Sequence, residues 1–504
     1  MRKIILFTIL IASVGSSLVS CKKWLELKPQ DGIVREEFWQ TKEQVEAAVT
    51  GIYASMLGSA TNNDRALAEY MFLWGEARTD MVSPGFRAVQ DELDIININV
   101  LPTNQFVNWR SFYQTINYCN TVIELAPGVR SIDQTFTQQQ LDRAIGEALT
   151  IRSLMYFYLA RSFSDVPLKL NATLSDEDVV AIPKSTQNQV LDQIVADLKK
   201  AEPMVQLPTG NRPVDKGRVN RYTVNALLAD VYLWMNRYED CATECDKIIS
   251  SNNFGLVSGE NGAAPFFNEL FYAGNSNEII FSLQFDAQKL NPFYTMHVSG
   301  SRRWGAAPHL LEEVYGVDLS GAVPPLVDLR GDNGSFRAND LAIWKYIGAD
   351  GNGSNTRPLD QSYAHWIFYR YADVLLMKAE AINMNNAPLE ASRIVKQIRN
   401  RAHALDLGVP MDSTNVDAMA DFIVEERQRE FAFEGKRWYD VLRNAKRDDY
   451  KRLYLIQRMV SKSVAPDRQQ AAINKLRDKN SHYFPIYFYE IQTNKELVQN
   501  PFYK

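Results

Sequence analysis

The sequence predicts a mainly α-helical protein in which a tetratricopeptide-like helical scaffold carries an irregular, loop-rich lobe. Two segments, residues 225–249 and 371–402, each have the apolar spacing of two helices joined by a short turn, with small residues where the helices would cross. Two such helix pairs far apart in a chain are typical of a helical solenoid with insertions. Residues 253–365 lie between them and are rich in Gly, Asn and Pro, which predicts loops with a few short strands.

The N-terminal residues have the pattern of an export signal. Arg2 and Lys3 form a positively charged start, residues 4–15 form an apolar core, and small residues lead to Cys21. The apolar stretch is shorter than a membrane-spanning helix requires. The letters LVSC that end at Cys21 resemble the lipobox of bacterial lipoproteins. That resemblance implies cleavage just before Cys21, a diacylglyceryl group on its thiol and an acyl chain such as palmitate on its amine. Several acyl chains would anchor the chain permanently. The alternative is a plain secretory signal followed by a chance cysteine.

Composition and charge narrow the class of protein. The chain has 504 residues, of which 46% are hydrophobic, and this indicates a globular protein with a large core. Its formal net charge is -5, and removal of the basic signal would make the mature chain more acidic. The sequence has no basic patch of the kind that binds phosphates, so we do not expect a nucleic acid partner.

Two further helices have clear boundaries in the sequence. The first begins at Thr41, where Thr41 and Gln44 have the spacing of a capping box ahead of an apolar-periodic stretch. The second covers residues 141–163, which repeat apolar side chains every three to four positions and stop before Pro167.

The residues that resemble metal ligands have simpler interpretations. Cys241 and Cys245 lie four positions apart on a predicted helix, but no His or further Cys stands near them to complete a site. The tetratricopeptide pattern places both at small packing positions, so we predict core residues. Residues 350–356 begin like a calcium loop but lack its glycine at the sixth position and its acid at the twelfth, which favours a Gly/Asn turn. We predict no metal and no cofactor.

The segment EERQRE is the strongest candidate for catalytic carboxylates. On a helix Glu425 would face Arg429 and Glu426 would face Glu430, beside Arg427. This spacing predicts an ion-paired network, whereas a glycosidase needs two carboxylates across a cleft. The sequence contains no zinc-protease, nucleophile-elbow or phosphate-loop motif. We therefore predict a protein that is not an enzyme.

Seven segments, taken in order, resemble the SusD/RagB family of outer-membrane nutrient-binding lipoproteins. They are CKKWLELKP, FWQTKEQVEAAVTGIY, GEALTIRSLMYFYLARSFSDVPL, the repeat from Asn225, YRYADVLLMKAEAIN, IVEERQREFAFEGKRWYDVLR and HYFPIYFYEIQTNKELVQNPFYK. The resemblance implies a surface-exposed helical lipoprotein of the outer membrane with a SusC-like TonB-dependent transporter as its partner. It also implies a signal peptide at 1–20, an N-terminal SusD-like region at 21–235 and a C-terminal RagB/SusD region at 236–504.

Two features depart from the pattern of that family. Lys22 and Lys23 follow the cysteine where surface-exposed relatives often have acidic residues. The segment FPIYFYEI replaces the usual PIP-like terminus, although Pro485, Glu490 and Asn494 remain.

A binder of sugars needs flat aromatic faces and a few polar groups for hydroxyls. Four tryptophans fall within helical family motifs and are expected in the core: Trp39, Trp109, Trp234 and Trp438. Eight residues in two loop-like stretches are instead candidates for ligand binding: Trp74, Asp80, Phe86, Arg87, Phe293, Tyr294, Arg303 and Trp304. The alternative for each candidate is that it packs a loop onto the scaffold.

The sequence leaves three functions open. The first is capture of oligosaccharides and their delivery to the transporter, for nutrient uptake and polysaccharide utilisation. The second is capture of peptides by the same kind of protein, which would favour backbone-pairing edges and charge complementarity. The third is a lipid-anchored helical-repeat scaffold for another protein.

Overall fold

The computed structural model describes residues 38–58, 65–407 and 410–504. Cys21 and the predicted signal peptide lie outside the described residues, as does the segment CKKWLELKP. Among the described residues, no helix is both long enough and apolar enough to cross a membrane.

The described residues are mainly helical, as the sequence predicts. The α-helices are α1 (Lys42–Met56), α2 (Leu67–Glu76), α3 (Gln90–Ile96), α4 (Arg110–Ile132), α5 (Gln138–Phe163), α6 (Gln187–Ala201), α7 (Arg212–Gly217), α8 (Arg221–Trp234), α9 (Tyr238–Ile249), α10 (Ala263–Phe267), α11 (Phe293–His297), α12 (Trp344–Ile347), α13 (Tyr371–Met384), α14 (Pro388–Arg401), α15 (Val416–Glu430), α16 (Arg437–Tyr450), α17 (Tyr454–Ser463), α18 (Gln469–Lys475) and α19 (Phe488–Thr493). The strands are β1 (Val82–Pro84), β2 (Val166–Pro167), β3 (Lys184–Ser185), β4 (Ile279–Leu283), β5 (Trp304–Ala306) and β6 (Trp366–Arg370).

The N-terminal helices form a layer in which α1 packs on α4, α4 on α5, and α5 on α6. The capping box that begins α1 is confirmed, because the Thr41 hydroxyl accepts from the Gln44 N–H at 3.4 Å and Gln44 Oε1 accepts from the Thr41 N–H at 2.9 Å. Residues 144–163 of α5 are buried on every side, so this helix forms the centre of the layer. Helix α5 ends at Phe163, before Pro167, as predicted.

The two tetratricopeptide-like pairs lie directly against each other. Helix α8 packs on α9, α13 packs on α14, and α9 packs on α13, so the chain between the two pairs is an insertion in the repeat. Cys241 and Cys245 are fully buried, and the Cys241 Sγ lies 3.9 Å from the Met377 carbonyl oxygen of α13. The prediction that both cysteines are core residues is confirmed. Within the described part of the chain, no group of His, Cys, Asp and Glu has a geometry that could hold a metal ion.

The strands form three two-stranded antiparallel ribbons, β1–β5, β2–β3 and β4–β6, and the first and third join distant parts of the chain. The expectation that residues 253–365 form loops with a few short strands is confirmed by β4 and β5, and the lobe also contains three short helices that were not predicted, α10, α11 and α12. A separate hydrophobic cluster that includes Phe267 and Trp344 forms the interior of this lobe. The division of the mature chain near residue 235 stays a prediction.

The predicted ion-paired network of EERQRE is present, with different partners. Glu426 accepts from Arg330 at 2.6 Å, and Glu430 accepts from Arg330 at 2.9 Å and from Arg370 at 2.6 Å. Glu425 was expected to face Arg429 but lies 3.3 Å from Arg458. Because Arg330 belongs to the lobe and Glu426 to α15, these buried bonds tie the lobe to the C-terminal helices.

Of the four tryptophans expected in the core, Trp109, Trp234 and Trp438 are buried. Trp39 is only half-buried and lines a cavity of about 440 Å³ between α1 and α4. The residues around that cavity carry no charge and include Phe38 and Tyr118.

Candidate ligand-binding face

The β1–β5 ribbon joins the two stretches that contain the sequence candidates. Pro84 pairs with Trp304, and beyond the strand end the Gly85 N–H donates to the Arg303 carbonyl oxygen at 2.7 Å. A Cβ at Gly85 would lie 2.4 Å from the Arg302 carbonyl oxygen, so the chains approach too closely for any other residue. Two segments more than 200 positions apart in sequence therefore form one structural unit, whose outer edge we call the rim (residues 85–89 and 294–303).

Phe86 and Arg87 are the sequence candidates that this unit exposes most. The Phe86 side chain is 69% exposed, which is unusual for a phenylalanine, and Arg87 is exposed beside it. The Arg87 guanidinium lies 5.9 Å from the centre of the Phe86 ring. Tyr294, at the start of α11, is half-buried. The rim thus offers an aromatic face and a cationic hydrogen-bond donor to a ligand.

Trp304 was predicted to lie in a loop and to offer a stacking face, and this is wrong. It lies in β5 and is fully buried, and its indole N–H donates to Glu92 Oε1 at 2.7 Å. The reason is the pairing with β1, which turns its side chain toward α3 and the interior. Trp304 supports the rim and has no face available to a ligand.

Arg303 is also directed inward by its carboxylate partners. Its guanidinium lies 2.8 Å from Glu69 and 2.6 Å from Glu92. Burial alone would lower the pKa of Arg303, but the charges of these two carboxylates outweigh it and raise the pKa. The second oxygen of Glu92 accepts from the Val89 N–H at 3.0 Å. Glu92 therefore holds the start of α3, the ribbon and the rim in one arrangement.

Trp74 and Phe293 are buried as well, and the prediction that they face a ligand is wrong. The Trp74 indole N–H donates to the Phe106 carbonyl oxygen at 2.7 Å, and its ring stacks on Phe112 with centroids 4.6 Å apart. Phe293 stacks on Tyr346 with centroids 4.1 Å apart. Both side chains fill the core beneath the rim because α2 is buried on all sides and α11 packs on α12.

Asp80 was also a ligand-binding candidate, but its carboxylate is bound by other side chains of the protein. It binds Arg437 through two contacts of 3.0 and 3.1 Å and accepts from Gln428 at 3.2 Å. Burial opposes ionisation of Asp80, but the charge and hydrogen bonds of Arg437 outweigh it and lower the pKa. Asp80 lines a cavity of about 220 Å³ whose walls include the ion pair between Lys462 and Glu313. It is therefore not part of the exposed rim.

A polar path that the sequence did not indicate continues from the rim. Arg65 lies 2.7 Å from Glu69 and donates to Gln105 Oε1 at 3.0 Å, and the Gln105 N–H donates to Asp91 Oδ2 at 3.0 Å. Gln105 is exposed, and Asp91 lies in the first turn of α3. No local sequence pattern pointed to these residues, since their mutual contacts are between separate elements.

Comparison with known proteins agrees with this fold. Residues 23–233 match a family described as starch-binding and associating with the outer membrane, and residues 335–503 match the SusD family. The chain is 29% identical over 481 residues to SusD-like protein P38 of Formosa agariphila, and the alignment covers 88% of this chain and 91% of that protein. It is 28% identical over 478 residues to SusD-like protein P2 of the same organism, with 85% and 88% covered.

Solved structures of SusD superfamily proteins have the same fold. One from Bacteroides vulgatus has a TM-score of 0.73 at 22% identity, and the alignment covers 92% of this chain and 100% of that one. One from Parabacteroides distasonis has a TM-score of 0.69 at 22% identity and covers 91% and 99% of the two chains.

Proposed function

This chain belongs to the SusD/RagB family, and from that premise we propose that it is a surface-exposed lipoprotein that binds oligosaccharides and delivers them to a SusC-like TonB-dependent transporter. Support comes from the family description of residues 23–233, which names starch binding and association with the outer membrane. The observation that carries the proposal is the rim, where Phe86 is exposed on a backbone that hydrogen bonds to Arg302 and Arg303 hold in place.

The rim suits a sugar because it combines an apolar face with charged hydrogen-bonding groups. An exposed aromatic ring packs against the C–H surface of a pyranose, and a guanidinium donates to hydroxyl or carboxylate oxygens. Glu92 and Trp304 fix the rim from below, so binding does not have to order it. Arg87 in particular would favour sugars that carry an acidic group.

We propose that the protein binds without catalysing a reaction. The carboxylates of EERQRE are paired with arginines. Burial alone would raise the pKa of Glu430, but the charges of Arg401, Arg370 and Arg330 outweigh burial and hold the pKa far below its ordinary value. A general acid needs the opposite shift. Product analysis after long incubation of the purified protein with a bound oligosaccharide should show no cleavage, and released fragments would contradict the proposal.

A combined glycan and peptide array on the mature chain tests the choice of ligand. We expect the wild type to bind one oligosaccharide series and Phe86→Ala to bind it about tenfold more weakly, as for a moderate hot spot. Tyr118→Ala is the matched control, because Tyr118 is an exposed aromatic residue at the cavity between α1 and α4. Binding to peptides alone would favour the peptide-binding alternative.

The membrane anchor and the partner need separate tests. We expect Cys21→Ser to leave the membrane fraction after a salt wash, since it removes the proposed lipidated thiol. We expect the lipidated wild type to co-purify in mild detergent with a large TonB-dependent barrel. A variant that stays membrane-bound would place the anchor elsewhere, and a wild type that is always recovered free would contradict the transporter partnership.

A further inference from the structure

Three consecutive aromatic residues, Tyr487, Phe488 and Tyr489, form a cluster on the surface at the start of α19. The ring centroids of Phe488 and Tyr489 lie 4.3 Å apart, those of Tyr487 and Phe488 5.1 Å, and those of Tyr487 and Tyr489 5.8 Å. Tyr489 is 56% exposed and the other two are half-buried. Rings that pack on one another and remain partly exposed form a surface on which a flat ligand can stack.

The cluster lies beside α3, the short helix that follows rim residues 85–89 in the sequence. The Phe488 N–H donates to the Pro102 carbonyl oxygen at 3.0 Å, which fastens α19 to the loop after α3. Asp91, in the first turn of α3, is close enough to Tyr487 to help raise the pKa of its phenol, after burial and the neighbouring Tyr489. Phe86 and Asp91 are separated by only a few residues, so the rim and the cluster flank one end of α3.

Polar groups continue between the two aromatic surfaces. Gln105 is exposed and its backbone N–H binds the Asp91 carboxylate. Glu490, next to the cluster, is half-buried, and burial raises its pKa although the Trp109 indole and Arg110 oppose this shift. An aromatic surface bordered by carboxylates and an amide fits a polyhydroxylated ring better than a lipid or an apolar protein segment, whose burial would leave these groups unpaired.

We propose that Tyr487, Phe488 and Tyr489 form a second sugar-stacking platform, which continues the rim across the N-terminal end of α3 and engages the distal units of a longer oligosaccharide. The inference rests on the proposed function and adds the length of the oligosaccharide as a determinant of specificity. Short oligosaccharides occupy the rim alone, whereas longer ones contact both surfaces and bind more tightly.

Glycan arrays that carry linear oligosaccharides of graded length, from disaccharides to decasaccharides of several sugars, test the inference on the mature chain. We expect Tyr489→Ala to lose about tenfold in affinity for the longest members of the bound series and less than twofold for the shortest. Tyr489→Phe should retain wild-type binding because it keeps the ring. Phe86→Ala should weaken every length, and Tyr118→Ala should weaken none.

Each outcome separates the two proposals. A variant Tyr489→Ala that binds all lengths like the wild type, or that weakens short and long chains equally, overturns the second platform and leaves the proposed function intact. Loss of peptide binding in that variant, with glycan binding retained, overturns it in favour of a peptide site. A wild type that binds no glycan of any length overturns the proposed function itself. Because Tyr489 is exposed, the unfolding midpoint of Tyr489→Ala should match the wild type, which excludes misfolding as the cause of a loss.

Discussion

At the scale of single residues, Glu92 explains why the candidate residues divide into exposed and buried groups. It is fully buried, and it accepts hydrogen bonds from the Trp304 indole and the Val89 N–H and pairs with Arg303. A buried carboxylate needs such partners because leaving it unpaired would cost several kcal/mol or more. The side chains that satisfy Glu92 cannot also meet a ligand, so Phe86 and Arg87 are left to do so.

Trp304→Ala tests this division. It removes a fully buried ring and a donor to Glu92, so we expect a loss of about 3 to 5 kcal/mol in the free energy of unfolding. Trp304→Phe keeps most of the ring and should lose about 1 to 3 kcal/mol, because Glu92 loses its donor. Phe86→Ala, at an exposed site, should change stability by less than about 0.5 kcal/mol. Urea unfolding measures all three, and a stable Trp304→Ala would contradict the buried role.

Glu76 should make stability depend on pH. Burial raises the pKa of Glu76 from 4.5 to about 8. The N–H groups of Gly435 and Lys436 donate to one carboxylate oxygen and oppose this shift. The other oxygen has no hydrogen-bond partner within the described residues. The folded state therefore keeps a proton that the unfolded state releases above pH 4.5. The stabilising contribution is complete below pH 4.5, falls as the pH rises and is lost above about pH 8.

Glu76→Gln isolates that contribution, because the amide has the shape of the protonated acid and does not titrate. We expect the wild type to lose stability relative to the variant by at most about 1.4 kcal/mol per pH unit between pH 5 and 8. Unfolding curves of both proteins at several pH values give the comparison. Parallel pH profiles would show that Glu76 ionises normally.

At the scale of elements, the β1–β5 ribbon builds the candidate face from two distant segments. Each strand has three residues and would not pair alone in water. The pairing persists because Trp304 and Arg303 fasten the ribbon to α2 and α3. The rim is therefore attached to the core by buried side chains beneath it.

Gly85→Ala should break the close approach of the ribbon strands. The added Cβ would lie 2.4 Å from the Arg302 carbonyl oxygen, so one strand must move, and we expect a loss of about 1 to 3 kcal/mol. Gly300→Ala is the control in the partner segment, because a Cβ there meets nothing within 4 Å. Hydrogen exchange of residues 82–89 should accelerate only in Gly85→Ala. Equal protection in both variants would contradict the close packing.

At the scale of the whole molecule, buried ion pairs join the lobe to the helical scaffold. Arg330 binds Glu426 and Glu430 of α15, and Arg370 at the end of β6 binds Glu430 and Glu278. These groups are almost completely buried, so removal of one partner leaves an unpaired charge in the interior. The network fixes which face of the scaffold the lobe covers, and thus the position of β5 against β1.

Arg330→Met tests the importance of the network. It leaves Glu426 and Glu430 without one of their cations, and we expect a loss of about 3 to 5 kcal/mol and faster proteolysis within residues 253–365. Arg458→Met is the control, because its partner Glu425 lies on the same helix as Glu426 and Glu430, but this pair is partly exposed and should contribute no more than about 1 kcal/mol. Similar stability of the two variants would show that the lobe is held mainly by apolar packing.

The sequence by itself determined the elements whose signals are local. The capping box at Thr41, the end of α5 before Pro167 and the two tetratricopeptide-like pairs follow from spacing over a few turns of helix. The buried positions of Cys241 and Cys245 follow from the same pattern. The seven segments that resemble the family could also be recognised from the sequence, since each is a short continuous run of residues.

Only the tertiary structure decided which aromatic residues meet solvent. Trp304 is buried because it pairs with Pro84, and Phe86 is exposed because none of the described residues covers its ring, so neither outcome is a property of nearby sequence. The partner of Glu425 was mispredicted because Arg458 lies on another helix, and helical spacing could suggest only Arg429. Local patterns specify elements, whereas burial and ion pairing are settled by contacts between elements, and the candidate face is made of such contacts.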